Sequence, residues 1–405
     1  MIDSRQKEIL QLTKNLDITP SMRKDAEEKY QAISAYLQLH GIECNIYPQG
    51  SFALGTVVRP LHKDVFDLDT ICELSVDKGS TTARETKESV GKVLLDSERY
   101  GDVIEYDTCW TKEYANEFNI DIVPAVDEQQ EKKANLVAKA VTNKDLANQS
   151  VAITKGLKSN YRWSTSNPKG YRDWFGNINR PFLEYDRESK RQAIFAQNKA
   201  LFNSVEEIPE SDERSSLQIA IQILKRHRDI YFLVLNDDKD NRPISAVITT
   251  IAASIAQTLP NSLNPFELLG RITETLKIYA KLDTMEQIRF TQQYASLNLI
   301  RRDNGHWCLL NPANPDDNLL DSWNTSSGRA KAFFKWISEV VKDFEVLTSA
   351  TDMDYYAAAK TVFGSDLVES TPAFTRYKES VSKTYTPIVT PAKPWKGIER
   401  VLRKY

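Results

Sequence analysis

Between residues 20 and 41, Met22, Ala26, Tyr30, Ile33 and Leu37 recur at three- and four-residue spacing. In a helix of 3.6 residues per turn this spacing collects them on one buried stripe. Thr19-Pro20 supplies an N-cap and a first helical residue, and Gly41 ends the run. An earlier amphipathic helix is expected through about residue 16. Ile42 to Tyr47 reads as a strand, closed by the break Pro48-Gln49-Gly50-Ser51. The period then becomes two: in VFDLDTICEL, residues 65 to 74, Phe66, Leu68, Thr70, Cys72 and Leu74 face one way and Asp67, Asp69, Ile71 and Glu73 the other. This predicts a strand with one packed face, whose other face carries paired acids. Residues 82 to 96 predict a helix and Val103 to Cys109 a strand. Within Tyr114 to Val126 a further strand places Phe118, Ile120 and Ile122 on one face, Asn119 and Asp121 on the other.

From residue 131 the pattern turns helical, with helices expected over 131–148, 183–202, 211–232, 244–258, 265–281, 323–348 and 351–363. The connector at 159–181, SNYRWSTSNPKGYRDWFGNINRP, is too rich in turn formers for one long element. The expected class is α+β, an α/β lobe on a mixed or antiparallel sheet joined to a mostly helical lobe. The expected division is a core over 1–150 with its N-terminal helices, a helical nucleotide-binding lobe over 151–380, and a basic tail over 381–405.

Composition narrows the class. With 41% hydrophobic and 27% charged residues in 405, the chain has the material for a large folded body. No stretch approaches the roughly 18 apolar residues of a membrane span, and the N-terminus lacks a secretory apolar run, so the expected location is the cytoplasm, without membrane association. A net charge of -3 argues against a protein that coats nucleic acid, while leaving room for local basic pockets. Cys44, Cys72, Cys109 and Cys308 have no zinc-site spacing among themselves or with the scattered histidines. Cys72 is expected to be a buried small hydrophobe.

The candidate chemistry lies in the first lobe. Gly50-Ser51, after a strand, can offer backbone N–H groups and a hydroxyl to phosphate oxygens, although Gly-Ser turns are common and the run is not a P-loop. Asp67 and Asp69, at i and i+2 of one strand, can both reach a hard cation, although paired acids also occur on solvated faces. Asp121 on a neighbouring strand changes that balance, because three carboxylates on one sheet face repel unless metal occupies them. Magnesium, in two ions and with manganese as a substitute, suits an all-oxygen set and leaves coordination for a triphosphate. Asp67 and Asp69 would bind both ions or the one on the triphosphate, and Asp121 the one that acidifies an attacking hydroxyl. No histidine base is needed. His62 is read as a loop or rim residue.

The order Gly50-Ser51, Asp67-x-Asp69, Asp121 resembles the polymerase β-type nucleotidyltransferases. The strings QGSFALGT, FDLDTICEL, FNIDIVPAV, SNPKGYRDWF, LQIAIQILKRHRD, RPISAVITT and NPANPDDNLLDSW resemble more narrowly the bacterial cGAS/DncV-like nucleotidyltransferases of anti-phage defence, over about residues 20 to 350. The resemblance implies a polymerase β-like core with a mixed sheet, a helical lobe like the C-terminal one of oligoadenylate synthases, and an active site in the cleft between them. It assigns Asp67, Asp69 and Asp121 as catalytic and metal-binding acids, and Gln49, Gly50 and Ser51 as contacts to donor phosphates or ribose. Lys225 matches the phosphate-binding lysine, and Ser245 in RPIS a hydroxyl aimed at the same triphosphate. By spacing alone, Lys225 and Arg228 share a helix face and form a cationic wall, a pattern that a solvated basic face shares. Arg59 is a weaker candidate for the cleft. The basic, aromatic stretch from Lys155 to Arg191 suits a cleft mouth, but Trp163, Trp174 and Phe175 suit packing equally. Asn318 reads as a capping residue before a core Trp323.

By this resemblance the substrates are ATP plus ATP or another ribonucleoside triphosphate, and the product a cyclic di- or trinucleotide released with pyrophosphate. A transferase making linear oligonucleotides uses the same acids, and a catalytically silent nucleotide-binding scaffold would keep the fold alone. A HORMA-type partner or a ubiquitin-like transfer enzyme acting on the C-terminus regulates some relatives. The tail has five Lys/Arg and one Glu over residues 391 to 405 and does not distinguish the two. Without a zinc-ribbon insertion, activation by DNA is not expected. A monomer or weak oligomer is expected.

Overall fold

The computed structural model describes residues 4–61, 65–114, 118–140, 143–157, 160–197, 213–236, 238–349 and 351–384. The first half runs α1 (Ser4–Lys14), α2 (Pro20–Leu39), β1 (Cys44–Pro48), α3 (Gly50–Ala53), β2 (Phe66–Leu74), α4 (Ala83–Leu95), β3 (Ile104–Glu105), β4 (Trp110–Tyr114), β5 (Phe118–Asp127), α5 (Gln130–Lys139), α6 (Lys144–Ala147), β6 (Val151–Lys155) and β7 (Arg162–Ser166). The second half runs α7 (Pro168–Gln197), α8 (Ser216–Asp229), α9 (Ser245–Ala256), α10 (Pro265–Tyr279), α11 (Gln287–Gln293), the hairpin β8 (Arg301–Asp303) and β9 (His306–Cys308), the hairpin β10 (Leu310–Asn311) and β11 (Asn314–Asn318), α12 (Asp321–Thr325), α13 (Ser327–Ser349), α14 (Asp352–Phe363), α15 (Ser365–Glu369) and α16 (Pro372–Thr384). Among the described residues no helix is long and apolar enough to cross a membrane.

The main sheet is mixed, in the order β1-β2-β5-β4-β3, with β6 paired to the far end of β5 and β7 to β6. Strands β2 and β5 are parallel; the other pairs are antiparallel. Ala26, Ile33 and Leu37 of α2 and Val90 and Leu94 of α4 pack with Phe66, Leu68, Cys72, Phe118, Ile120 and Ile122 on one sheet face. The helix stripes and strand alternation read from the sequence thus meet in one core, with Cys72 fully buried. The opposite face is not simply polar. Beyond the acids, Ile71, Val123, Ala125 and Val151 are buried together with Cys109, so β2 is packed on both faces over its second half.

Other expectations are corrected. The stretch Val103 to Cys109 holds only the two-residue β3 and a turn, and the longer strand β4 follows it. The connector at 159–181 is a strand and then the first half of the long helix α7, despite Gly170, Gly176 and Pro181. Proline in a helix interior costs about 3 kcal/mol, whereas burying Trp174, Phe175, Ile178 and Phe182 against the helical core contributes about 1.5–3 kcal/mol for each side chain. Packing outweighs local propensity. The lobes also divide differently from the chain: the sheet continues through β7, past residue 150, while Ile9, Leu12 and Leu16 of α1 join the core of the helical lobe. Trp323 is in that core, as expected. Asn318, however, does not cap α12: its Oδ1 accepts from the N–H of Leu309 and Leu320, and its Nδ2 donates to Trp307 O and Asp321. Of the tail, only the end of α16 is described; residues 385–405 lie outside the described residues, as does His62.

Candidate active site

The Gly50-Ser51 turn is fixed from the sheet side. Gln49 N–H donates to Asp69 O at 2.8 Å as β1 ends, and the chain enters α3 with Gly50 at φ +59. A Cβ on Gly50 would stand 2.5 Å from Asp69 Oδ2. Only glycine allows both that conformation and that approach of backbone to carboxylate.

The acids follow from strand register. Asp69 of β2 lies directly opposite Asp121 of the parallel β5, and Asp67 opposite Asn119, so all four side chains share one sheet face. Each outer acid is held by a neighbour: Asn119 Nδ2 donates to Asp67 Oδ1 at 3.1 Å, and Thr111, opposite Asp121 on β4, donates its hydroxyl to Asp121 Oδ1. Burial, followed by the charges of Asp121 and Asp67, raises the Asp69 carboxyl to about 7 against the pull of Lys225. Burial and Asp67 also raise Asp121, opposed by the hydrogen bonds from Thr111 and Cys109. Among the described residues, no three ligating side chains stand close enough to form a ready-made metal group. The donor set is nonetheless all oxygen, anionic and crowded on one face, the chemistry that a hard divalent cation fits.

Helix α8 builds the facing wall. A reciprocal cap between Ser215 and Gln218 starts it. Its buried side chains then bond along the segment that follows α3: Gln218 Nε2 to Leu54 O at 2.9 Å, Gln222 Nε2 to Val57 O at 2.7 Å and Arg226 to Arg59 O at 3.2 Å. Lys225 Nζ donates to Ser51 Oγ and Thr56 Oγ1, both at 2.9 Å, and to Thr56 O at 3.2 Å. Burial, then the charge of Arg228, lowers Lys225 to about 7, with Asp229 and Asp69 opposing. The basic face of α8 is therefore buried rather than solvated. Arg228 bonds Ser245 Oγ at 3.0 Å and Pro243 O at 3.1 Å, fixing the start of α9.

These parts line one cleft of ≈ 960 Å³ between the lobes, which holds Gly50, Ser51, Asp67, Asp69, Lys225, Arg228 and Ser245. Asp121 stands beside Asp69 without lining the cleft, and neither Gln49 nor Arg59 lines it. Trp174 and Phe175 are core residues, and Trp163 lies under Lys78 with the ammonium 5.8 Å from the ring centre. The sequence reading missed Thr111, Asn119, Gln218 and Gln222, and also the cleft-lining Tyr171, Asp229 and Arg242. One signal was available: residues 218, 222 and 225 fall on one helical face ahead of the basic cluster.

Residues 4–179 match the SMODS family, the Second Messenger Oligonucleotide or Dinucleotide Synthetase domain. The chain is 28% identical over 346 residues to a c-di-GMP synthase of Roseivirga ehrenbergii, covering 83% of this chain and 78% of that protein. It is 26% identical over 238 residues to the cyclic dinucleotide synthase CdnG of Bradyrhizobium diazoefficiens, covering 55% and 53%. The structure of that CdnG in complex with GTP aligns at a TM-score of 0.66 and 19% identity, over 94% of this chain and 99% of the other. CdnC of E. coli MS115-1, in a complex with HORMA-deltaN, aligns at 0.54 and 15% identity over 89% and 96%. At such identities the structural likeness is one of fold: a nucleotidyltransferase-type mixed sheet joined to a helical lobe.

Proposed function

We propose that the chain is a Mg²⁺-dependent cyclic oligonucleotide synthase of the cGAS/DncV-like nucleotidyltransferases, a reading supported by the match of residues 4–179 to the second-messenger oligonucleotide or dinucleotide synthetase domain and by the likeness to two curated synthases. Its substrates are ribonucleoside triphosphates, with the name of the c-di-GMP synthase relative and the GTP in the CdnG complex weighing toward GTP as one of them. Its product is a cyclic di- or trinucleotide that serves as a cytoplasmic alarm signal in anti-phage defence, under control of a HORMA-type or ubiquitin-transfer-like partner.

The observation that carries this reading is the meeting of Gly50, Asp69 and Asp121 on one side with Lys225 and Ser51 on the other. In the reaction the acceptor's ribose hydroxyl oxygen forms a bond to the donor's α-phosphorus. The bond from that phosphorus to the bridging oxygen breaks, pyrophosphate leaves, and the hydroxyl proton passes to water. A second transfer within the linear product closes the ring. Asp67, Asp69 and Asp121 would hold Mg²⁺, which when bound neutralises the triphosphate and acidifies the acceptor hydroxyl. Lys225 and Ser51 hold the donor phosphates, the ammonium already steered onto the serine hydroxyl. Arg228 keeps Ser245 and the first N–H groups of α9 at the cleft wall.

Incubation of the purified chain with all four ribonucleoside triphosphates and Mg²⁺, followed by phosphatase treatment and mass measurement, tests the proposal. A phosphatase-resistant product whose mass equals two or three nucleoside monophosphates less one water for each of its two or three phosphodiester bonds supports it. Phosphatase-labile oligomers would assign the linear chemistry, and no pyrophosphate release would assign a silent scaffold.

A further inference from the structure

Besides Asp67, Asp69, Lys225 and Arg228, the cleft is lined by five charged side chains: Asp229, Lys239, Asp240, Arg242 and Arg329. Asp229 is engaged, its Oδ1 accepting from Arg228 at 2.7 Å and from Arg242 at 3.2 Å. Among the described residues, Lys239, Asp240 and Arg329 have no side-chain hydrogen bond or ion pair, neither with one another nor elsewhere. The two elements that carry them are neighbours. The single 3₁₀ turn Lys239–Asn241 lies against the first turn of α13, where a Cβ on Gly328 would meet Asn241 Oδ1 at 3.2 Å. An acid and a guanidinium thus stand on one wall of the cleft, each with its hydrogen-bonding capacity unspent.

A phosphate offers only acceptors, and Asp240 would repel it. The pair suits instead a planar group that presents donors and acceptors side by side. Guanine is such a group: N1–H and the N2 amino group donate in parallel, and O6 and N7 accept. A carboxylate takes the first two in bidentate fashion, and the fork of an arginine matches the second two. Adenine reverses this order, placing an amino donor where guanine has O6. We propose that Asp240 and Arg329 read the guanine of a bound GTP, Asp240 at N1–H and N2–H and Arg329 at O6 and N7. This rests on the nucleotidyltransferase reading of the cleft and assigns one of its bases.

The test compares GTP, inosine triphosphate, which lacks the N2 amino group, and ATP, by competition against a fluorescent nucleotide on the full chain. The wild type should prefer GTP to inosine triphosphate, and both to ATP. Asp240→Asn should reduce the preference for GTP over inosine triphosphate by roughly 5-fold or more, and Arg329→Gln should reduce the preference of both over ATP by a similar factor. Both positions are at least partly exposed, so neither change should compromise folding. Wild-type selectivity ratios in both variants, or an equal shift for all three nucleotides as expected of a phosphate contact, would overturn the assignment. A wild type that binds nucleotides but favours adenine or pyrimidines overturns it while leaving the transferase reading intact; a wild type that binds none removes both.

Discussion

Gly50 and Asp69 touch across the gap between the first turn of α3 and strand β2, with 2.5 Å between the carboxylate oxygen and the position a Cβ would take. Gly50→Ala therefore meets two penalties. One is the left-handed backbone at φ +59, worth about 1–2 kcal/mol. The other is a displaced acid. The expected result is a loss of roughly 10-fold or more in kcat/KM, with the lobes still folded by circular dichroism. A variant of wild-type activity would show that the close approach has no bearing on catalysis.

Crowding around Asp69 makes stability depend on pH. Its folded value of about 7 lies above that of an unfolded aspartate. The folded state therefore holds a proton that the unfolded state has released, and stability is lost as pH rises from about 4 to 7. Asp69→Asn removes this loss. With a chelator present, the variant should melt above the wild type at pH 8 by several degrees and close to it at pH 4. Mg²⁺ should raise the wild-type midpoint at pH 8 more than the variant's. An equal gap at both pH values would contradict the raised carboxyl.

Thr111 acts through Asp121, whose Oδ1 it holds from the adjacent strand. Thr111→Val should raise the Mg²⁺ concentration for half-maximal activity roughly 10-fold, and should weaken Mn²⁺ binding measured without nucleotide. Thr111→Ser, which keeps the hydroxyl, should restore both. Equal effects of the two substitutions would make Thr111 a packing residue only.

Gln222 donates to Val57 O, a carbonyl on the segment that shapes the cleft wall. Gln222→Leu leaves that carbonyl unsatisfied at a cost of about 1–3 kcal/mol. Denaturant unfolding should show this loss, and the KM for the nucleotide should rise because Thr56, which precedes Val57, accepts from Lys225. Unchanged stability would mean that water replaces the amide.

The sequence made the sheet lobe legible because its signals are local. Alternation in FDLDTICEL places Asp67 and Asp69 on one face without any knowledge of the partner strand, and the helix stripe of α2 names its own core residues. What alternation leaves open is pairing. That Asp69 stands opposite Asp121, rather than one position away, is set by β2 and β5 running parallel in a fixed register. The first half of α7 was hidden because its glycines and proline signal turns, and only the buried stripe of Trp174, Phe175, Ile178 and Phe182 overrides them. Thr111 and Gln222 were hidden for a third reason. Each is an ordinary polar residue whose role exists only through a partner distant in sequence.

The packing of α1 into the helical lobe has a mechanical consequence. The chain begins in one lobe, passes into the other after Leu16, and returns at Pro168. Two covalent straps therefore join bodies that a single linker would leave free to swivel in any direction. Between them runs the segment from Gln49 to Arg59, bonded to Asp69 at one end and to α8 along the rest. Any separation of the sheet lobe from α8 would have to break the bonds that hold the Gly50-Ser51 turn.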